Sequence, residues 1–270
     1  MTSPRSVRYD SAYRGSLAIV IVAIIPARFA STRFPGKPLS DIHGKPMVRH
    51  VYERVRAATR VDRVLVATDD ARIADAVRAF EGEVVMTSSE HGTGTDRIAE
   101  AARGIEADII VNVQGDEPML EPEAVDAAVA PLLSDPTLDL ATLSLPLKRV
   151  EEMLSPSVVK VVTDGRGRAL YFSRSPIPFV RDGASREGAA RAAVMKGLAR
   201  KHVGLYAFRR AALERFVALP QSALEEAESL EQLRAIENGM SIQVVPMAGA
   251  AGIAVDTPQD LERVRALLGD

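Results

Sequence analysis

The chain reads as an α/β protein with a mainly parallel, mixed sheet, helices on both faces and an inserted antiparallel lobe. Three observations predict this. Short unbroken Val/Ile/Leu runs, at residues 17–25 and 108–113, suit strands buried on both faces. Between such runs the apolar residues fall at helical spacing, and repeated βα units of that length build parallel sheets. Near residue 155 the rhythm breaks into two β-rich runs joined by Asp164-Gly165-Arg166-Gly167, a hairpin signal.

The first strand is expected over residues 17–25, with Pro26 stopping its ladder pairing so that the chain leaves the sheet at its carboxyl edge. Pro46 opens a helix whose apolar face is Met47, Val51, Val55 and Ala58. Residues 63–67 form the next strand, Asp70 caps a helix through Phe80, and 83–86 is a short strand. Helices at 95–103 and 121–133 flank a strand at 108–113, and a further strand occupies 138–145. The antiparallel pair is 157–163 with 168–173. Residues 181–201 are rich in Ala, Gly and Arg, which fits a mobile loop over the site or a partner-facing surface. A strand at 202–209, one helix over 224–237, a strand at 241–246 and a helix at 258–268 complete the chain. Without repeats or linkers, residues 17–270 are expected to be a single domain carrying a lobe at about 155–210, after a flexible extension over 1–16.

Bulk properties exclude several classes. A chain of 270 residues with 47% hydrophobic content is long enough for a sizeable core. A net charge of -2 argues against nucleic acid as a partner, so any anion site must be local. The chain contains no cysteine, which excludes disulfides and thiolate metal sites and fits a reducing cytoplasm. Its four histidines, His43, His50, His91 and His202, form no H-E-x-x-H pattern. Arg5, Arg8 and Arg14 ahead of the run at 17–25 mimic a secretory signal, but that run is shorter than the ~20 residues of a membrane span and contains the first strand. No membrane partner is expected.

The chemistry concentrates at strand ends. Arg28, Arg33 and Lys37 surround a turn at Gly36 directly after the first strand, where open α/β sheets bind ligands, and three cations there suit a triphosphate. Neither the P-loop nor the dinucleotide fingerprint applies, because Gly36-Lys37 is followed by Pro38 and no G-x-G-x-x-G occurs. Asp116, in Gln114-Gly115-Asp116-Glu117-Pro118, leaves a buried strand through a tight turn and is a candidate Mg²⁺ ligand or a turn residue. Asp256 also follows a short apolar run, and either it or Thr257 can cap the last helix. His91-Gly92-Thr93-Gly94-Thr95-Asp96-Arg97 sets two glycines before a helix, either to read a flat base edge or as an ordinary turn. Arg174 at a strand end has the planar fork that suits a carboxylate. Glu228 and Gln232, four apart on a helix, are a solvated pair or ligands, and His202 on a strand is structural or a ligand.

These residues fall in blocks that resemble the 3-deoxy-manno-octulosonate (Kdo) cytidylyltransferases. The opening block, residues 24–47, reads IIPARFASTRFPGKPLSDIHGKPM. VATD at 66–69, VNVQGDEP at 111–118, ALYFSRSP at 169–176, HVGLYAFR at 202–209, LEQLR at 230–234 and VDTPQDLERVR at 255–265 follow in the family's order. The similarity spans residues 17–268, and collinear blocks are far more specific than one motif.

The resemblance implies a Rossmann-like nucleotidyltransferase fold and the reaction CTP + Kdo → CMP-Kdo + pyrophosphate, feeding lipopolysaccharide synthesis in the cytoplasm. It implies nucleotide contacts from Pro26, Ala27, Arg28, Arg33, Lys37, Thr68, Asp69, Thr93, Gly94 and Asp116. Most relatives carry serine where Thr93 stands, which keeps the hydroxyl and adds a methyl. Sugar contacts are implied for Gln114, Arg174, His202, Glu228 and Gln232, Mg²⁺ on Asp116 and Asp256, and catalytic roles for Arg28, Lys37, Asp116 and Asp256. A symmetric homodimer through the antiparallel lobe is also implied, since that lobe offers β-rich surface. The alternatives are a cytidylyltransferase for another acidic sugar, such as an amino-substituted Kdo or sialic acid, and a non-catalytic nucleotide-binding regulator.

Overall fold

The computed structural model describes residues 19–30, 34–183, 185–249 and 252–269; the extension expected over 1–16 and the cation Arg33 lie outside the described residues. In chain order come β1 (Ile21–Ala27), the ribbon β2 (Asp41–Ile42) and β3 (Lys45–Pro46), α1 (Met47–Arg56), β4 (Arg63–Thr68), α2 (Ala71–Ala79) and β5 (Glu83–Met86). Then follow α3 (Gly94–Ala102), β6 (Ile109–Asn112), α4 (Pro122–Ser134), β7 (Leu140–Pro146), α5 (Val150–Leu154), β8 (Lys160–Thr163) and β9 (Ala169–Ser173). The last elements are α6 (Arg186–Met195), β10 (Arg200–Arg209), α7 (Arg210–Ala218), α8 (Ala223–Glu228), α9 (Gln232–Glu237), β11 (Ile242–Pro246) and α10 (Pro258–Leu268).

The main sheet runs β11-β7-β10-β6-β1-β4-β5. The pairs of β1 with β4 and β6, of β4 with β5 and of β11 with β7 are parallel, and β10 is antiparallel to both its neighbours. β1 explains why its sequence is apolar without alternation. Ile21, Ala23 and Ile25 pack toward Val51, Val55, Val125 and Val129 on one face, while Val22 and Ile24 pack toward Ile98, Leu213 and Phe216 on the other. Each such buried Ile, Val, Leu or Phe side chain contributes roughly 1.5–3 kcal/mol.

β10 changes partner along its length. Lys201 pairs with Lys160 of β8, whereas Tyr206 to Arg209 pair with β6, and the register with β7 shifts between Val203 and Tyr206. The sheet therefore forks at this bulge, with the β8–β9 hairpin on one prong and β6–β1 on the other.

Three expectations need correction. Pro26 does not end β1: Pro26 and Ala27 still face Ala67 and Thr68 of β4, and pairing stops only toward β6, at Ile24. In a parallel strand successive residues address opposite neighbours, so the missing N–H matters on one edge alone. Residues 181–201 are not a loop, since α6 packs Ala189, Ala190 and Ala193 into a small core with Leu147 and Met153. Alanine is the best helix former, and its small side chain allows this close packing. The single helix expected over 224–237 is broken at Ser229, which has φ 51. The carbonyls of Glu228 and Ser229, which a continuous helix would pair with its own amides, accept instead from the Arg174 guanidinium at 2.7 and 3.3 Å.

Candidate active site

The carboxyl ends of β1 and β6 open into a cleft of about 330 Å³. Its shape follows from close backbone approach, because a Cβ at Gly115 would sit 2.7 Å from the Pro26 carbonyl oxygen. Gly36 shapes the neighbouring loop: at φ +72 its N–H donates to the Phe29 carbonyl at 2.9 Å, and an added Cβ would lie 3.1 Å from the Phe29 ring. This turn brings Lys37 back over the strand end.

Of the residues singled out from sequence, Pro26, Ala27, Arg28, Lys37, Thr93, Gly94, Gln114, Asp116 and Asp256 line the cleft. Lys37 Nζ donates to Asp116 Oδ2 at 2.7 Å and to the Val255 carbonyl at 2.8 Å, with Asp256 Oδ1 at 3.8 Å. The Val255 N–H donates to the Asp116 carbonyl at 2.8 Å, which ties the two acidic segments together. Thr257, not Asp256, caps α10: its Oγ1 accepts from the Asp260 N–H at 3.2 Å, and Asp260 Oδ2 accepts from the N–H groups of Thr257 and Asp256. The Asp256 carboxylate is thereby directed toward Lys37.

Two carboxylates converging on one ammonium are hard oxygen donors already gathered around a cation, and this fits Mg²⁺, which uses one or two carboxylates plus phosphate oxygens. Among the described residues no group of three or more His, Cys, Asp or Glu is placed to hold a metal. The remaining ligands would have to come from substrate and water. Next to Asp116, Glu117 Oε2 is buried without a partner. Burial, and then the Asp116 charge, push the Glu117 carboxyl up to about 7.

At the opposite wall Thr93 caps α3, its Oγ1 accepting from the Asp96 N–H at 3.1 Å. His91 is hydrogen-bonded to Glu100, whose carboxyl is held below its usual range first by the Ser88 N–H and then by His91. Thr68 and Asp69 do not line the cleft. Thr68 is buried at the end of β4, and Asp69 accepts from Arg97 Nη2 at 3.0 Å. Arg97 does line it, buried except for 3% of its surface and also bonded to Thr87 Oγ1 at 2.6 Å.

The five sugar candidates divide. Gln114 lines the cleft and donates through Nε2 to the Gly204 carbonyl at 3.1 Å, which leaves Oε1 as its acceptor. Arg174, His202, Glu228 and Gln232 are not among the residues that line the cleft. Glu228 accepts from Ser173 Oγ at 2.6 Å and from the Arg174 N–H at 2.9 Å, while the Arg174 guanidinium donates to the carbonyls of Pro156, Glu228 and Ser229. Its fork thus holds three backbone oxygens. Gln232 is buried in α9. The His202 ring stands edge-on to Phe172 with centroids 4.9 Å apart, and burial pushes it down to about 3, so it is neutral.

Sequence reasoning missed His91, Arg97 and Glu231 in the lining. His91 and Arg97 belong to the glycine-containing motif at 91–97, so their proximity was the available signal. Glu231 reaches the cleft because of the break at Ser229, accepting from Thr95 Oγ1 at 2.8 Å, and burial raises its carboxyl.

A cationic loop facing two carboxylates beyond the carboxyl edge of a parallel sheet is the arrangement of a nucleotidyltransferase, and the profile of the family described as cytidylyltransferase matches residues 22–242. Proteins named 3-deoxy-manno-octulosonate cytidylyltransferase are similar over most of their length. That of Geobacter sulfurreducens is 59% identical over 244 residues, covering 90% of this chain and 97% of the relative, and that of Syntrophotalea carbinolica is 55% identical over 248 residues, covering 92% and 98%. The solved structure of CMP:2-keto-3-deoxy-manno-octonic acid synthetase complexed with CTP superposes with a TM-score of 0.85 at 48% identity, covering 93% of this chain and 98% of that one. The chain belongs to the 3-deoxy-manno-octulosonate cytidylyltransferase family, enzymes of nucleotidyl transfer.

Proposed function

We propose that this protein joins CTP and Kdo into CMP-Kdo with release of pyrophosphate. The anomeric hydroxyl oxygen of Kdo attacks the α-phosphorus in line, the bond from that phosphorus to the bridging oxygen of pyrophosphate breaks, and the hydroxyl proton is lost to solvent. No covalent enzyme intermediate is required. The observation that carries the reading is the Lys37, Asp116 and Asp256 cluster at the mouth of β1.

Nucleotidyl transfer depends mainly on positioning and charge neutralisation. Arg28 and Lys37 supply positive charge for the triphosphate, joined by Arg33 from the same loop, which the sequence alone assigns. The Thr93-Gly94 segment offers backbone groups at a helix start to the cytosine edge. Gln114, at the cleft border, faces the sugar with its free acceptor, and Arg174, His202, Glu228 and Gln232 shape the pocket behind it. Held by Asp116 and Asp256, Mg²⁺ would neutralise charge on the α-phosphate. Release of pyrophosphate should require CTP rather than ATP, GTP or UTP, and Kdo rather than sialic acid; equal rates across nucleotides or sugar acids would refute the assignment.

The reading extends to a single domain over 17–270 with its lobe at about 155–210, and to a cytoplasmic enzyme supplying lipopolysaccharide synthesis. It extends also to a homodimer through that lobe, which leaves Leu170, Phe179, Met195 and Leu198 exposed. Light scattering at micromolar concentration should give twice the 29.0 kDa chain mass, and a fully active monomer would overturn the dimer.

A further inference from the structure

At the fork of the sheet, the β10 bulge leaves Gly204 and Leu205 without partners in β7. Thr142, on β7, fills the gap with its side chain. Its Oγ1 lies 3.0 Å from the Val203 carbonyl, 2.9 Å from the Leu205 carbonyl and 2.9 Å from His202 Nε2. Thr142 is fully buried.

A hydroxyl has one proton to give and lone pairs to accept with, while a carbonyl only accepts. If Thr142 donated to His202, both carbonyls beside it would lose their hydroxyl proton. If it donates to the bulge, the histidine must be the donor, and one more hydrogen bond is made. Buried polar groups are paired wherever pairing is open to them, so the second arrangement prevails. His202 then carries its proton on Nε2 and presents Nδ1 as an acceptor. The ring is wedged between Phe172 at 4.9 Å and Tyr206 at 5.3 Å, which restricts its rotation. The same bulge reaches the cleft, because the Gly204 carbonyl accepts from Gln114 Nε2 and so aims the glutamine.

We infer that Thr142 is a positioning residue for the sugar half of the site, setting the proton of His202 and the direction of Gln114 through one hydroxyl on the β10 bulge. This rests on the proposed transfer to a sugar acid for its kinetic part only. Gln114 Oε1, aimed in this way into the cleft, is a neutral acceptor that suits the hydroxyls of a polyol acid.

Long-range ¹H–¹⁵N spectra of the full-length protein near pH 7.5, with His202 assigned through His202→Asn, read the tautomer directly. We expect the Nε2–H form in the unaltered protein; the Nδ1–H form would overturn the inference, and this measurement needs neither turnover nor a stable Thr142 variant. Thr142→Val keeps the shape without the hydroxyl, and the Michaelis constant for Kdo should rise about tenfold with that for CTP changed less than about twofold. Thr142→Ser should restore the Kdo value. An unchanged Kdo constant, or an equal rise for both substrates that serine does not rescue, would contradict it. Absence of any Kdo turnover in the unaltered enzyme would sink the proposed function and leave the tautomer result standing.

Discussion

Lys37 Nζ lies 2.7 Å from Asp116 Oδ2 and 3.8 Å from Asp256 Oδ1, so one ammonium holds together two carboxylates that are 140 positions apart in the chain. Their mutual repulsion is offset before any substrate arrives. In the proposed reaction a bound triphosphate would offer Lys37 an alternative partner, which would leave the two carboxylates converging on one point. Removing a charge from this cluster should therefore affect chemistry more than binding.

Asp116→Asn keeps the side-chain shape and loses the charge. Turnover should fall by ~100-fold or more, with CTP binding changed less. Steady-state rates together with calorimetric titration of CTP check this, and a turnover like that of the unaltered enzyme would remove Asp116 from the mechanism.

Asp256→Asn and Thr257→Ala separate catalysis from capping. Since Thr257 makes the cap, Thr257→Ala should cost about 1 kcal/mol of stability with turnover nearly intact. Asp256→Asn should do the reverse, with the urea midpoint unchanged and the rate down by roughly two orders of magnitude. Loss of stability in Asp256→Asn without loss of rate would reverse the two roles.

Glu117 gives a pH dependence with a definite sign. Its carboxyl stands at about 7 in the folded protein against 4.5 as its ordinary value. The unfolded chain ionises first as pH rises, so the stabilisation is fully present below 4.5, is lost between 4.5 and about 7, and is flat above. The loss is on the order of 3 kcal/mol. Glu117→Gln should abolish this slope, so that urea unfolding of the two metal-free proteins, compared from pH 4.5 to 8, shows the variant gaining on the unaltered protein as pH rises; parallel curves would contradict the burial of an uncharged Glu117.

Arg174→Lys retains charge but not the three-point grip on the carbonyls of Pro156, Glu228 and Ser229. The break between α8 and α9 should loosen, and with it the sugar side. The expected result is a rise of about tenfold in the Michaelis constant for Kdo with that for CTP spared. A change confined to CTP would refute it.

How much of this was legible in the sequence follows from what each feature depends on. β1 and β6 were readable because strands buried on both faces leave unbroken apolar runs, and residues just past such runs, Arg28, Lys37 and Asp116, inherit a predictable place. The break at Ser229 was not, because the partner that satisfies its freed carbonyl, Arg174, lies 55 positions away. Glu231 was missed for the same reason, since only that break turns it to Thr95. Asp256 and Thr257 stood equal in sequence, and only side-chain direction distinguishes a cap from a cleft residue. In α6 the alanines conceal the usual contrast between apolar and polar faces.

The most direct test of the central claim is ³¹P NMR of the protein mixed with CTP, Mg²⁺ and Kdo. The three CTP resonances should give way to one phosphodiester signal and one pyrophosphate signal in equal molar yield, with no change when Kdo is left out. Consumption of CTP without the sugar acid, or no phosphodiester with both substrates present, would contradict the account.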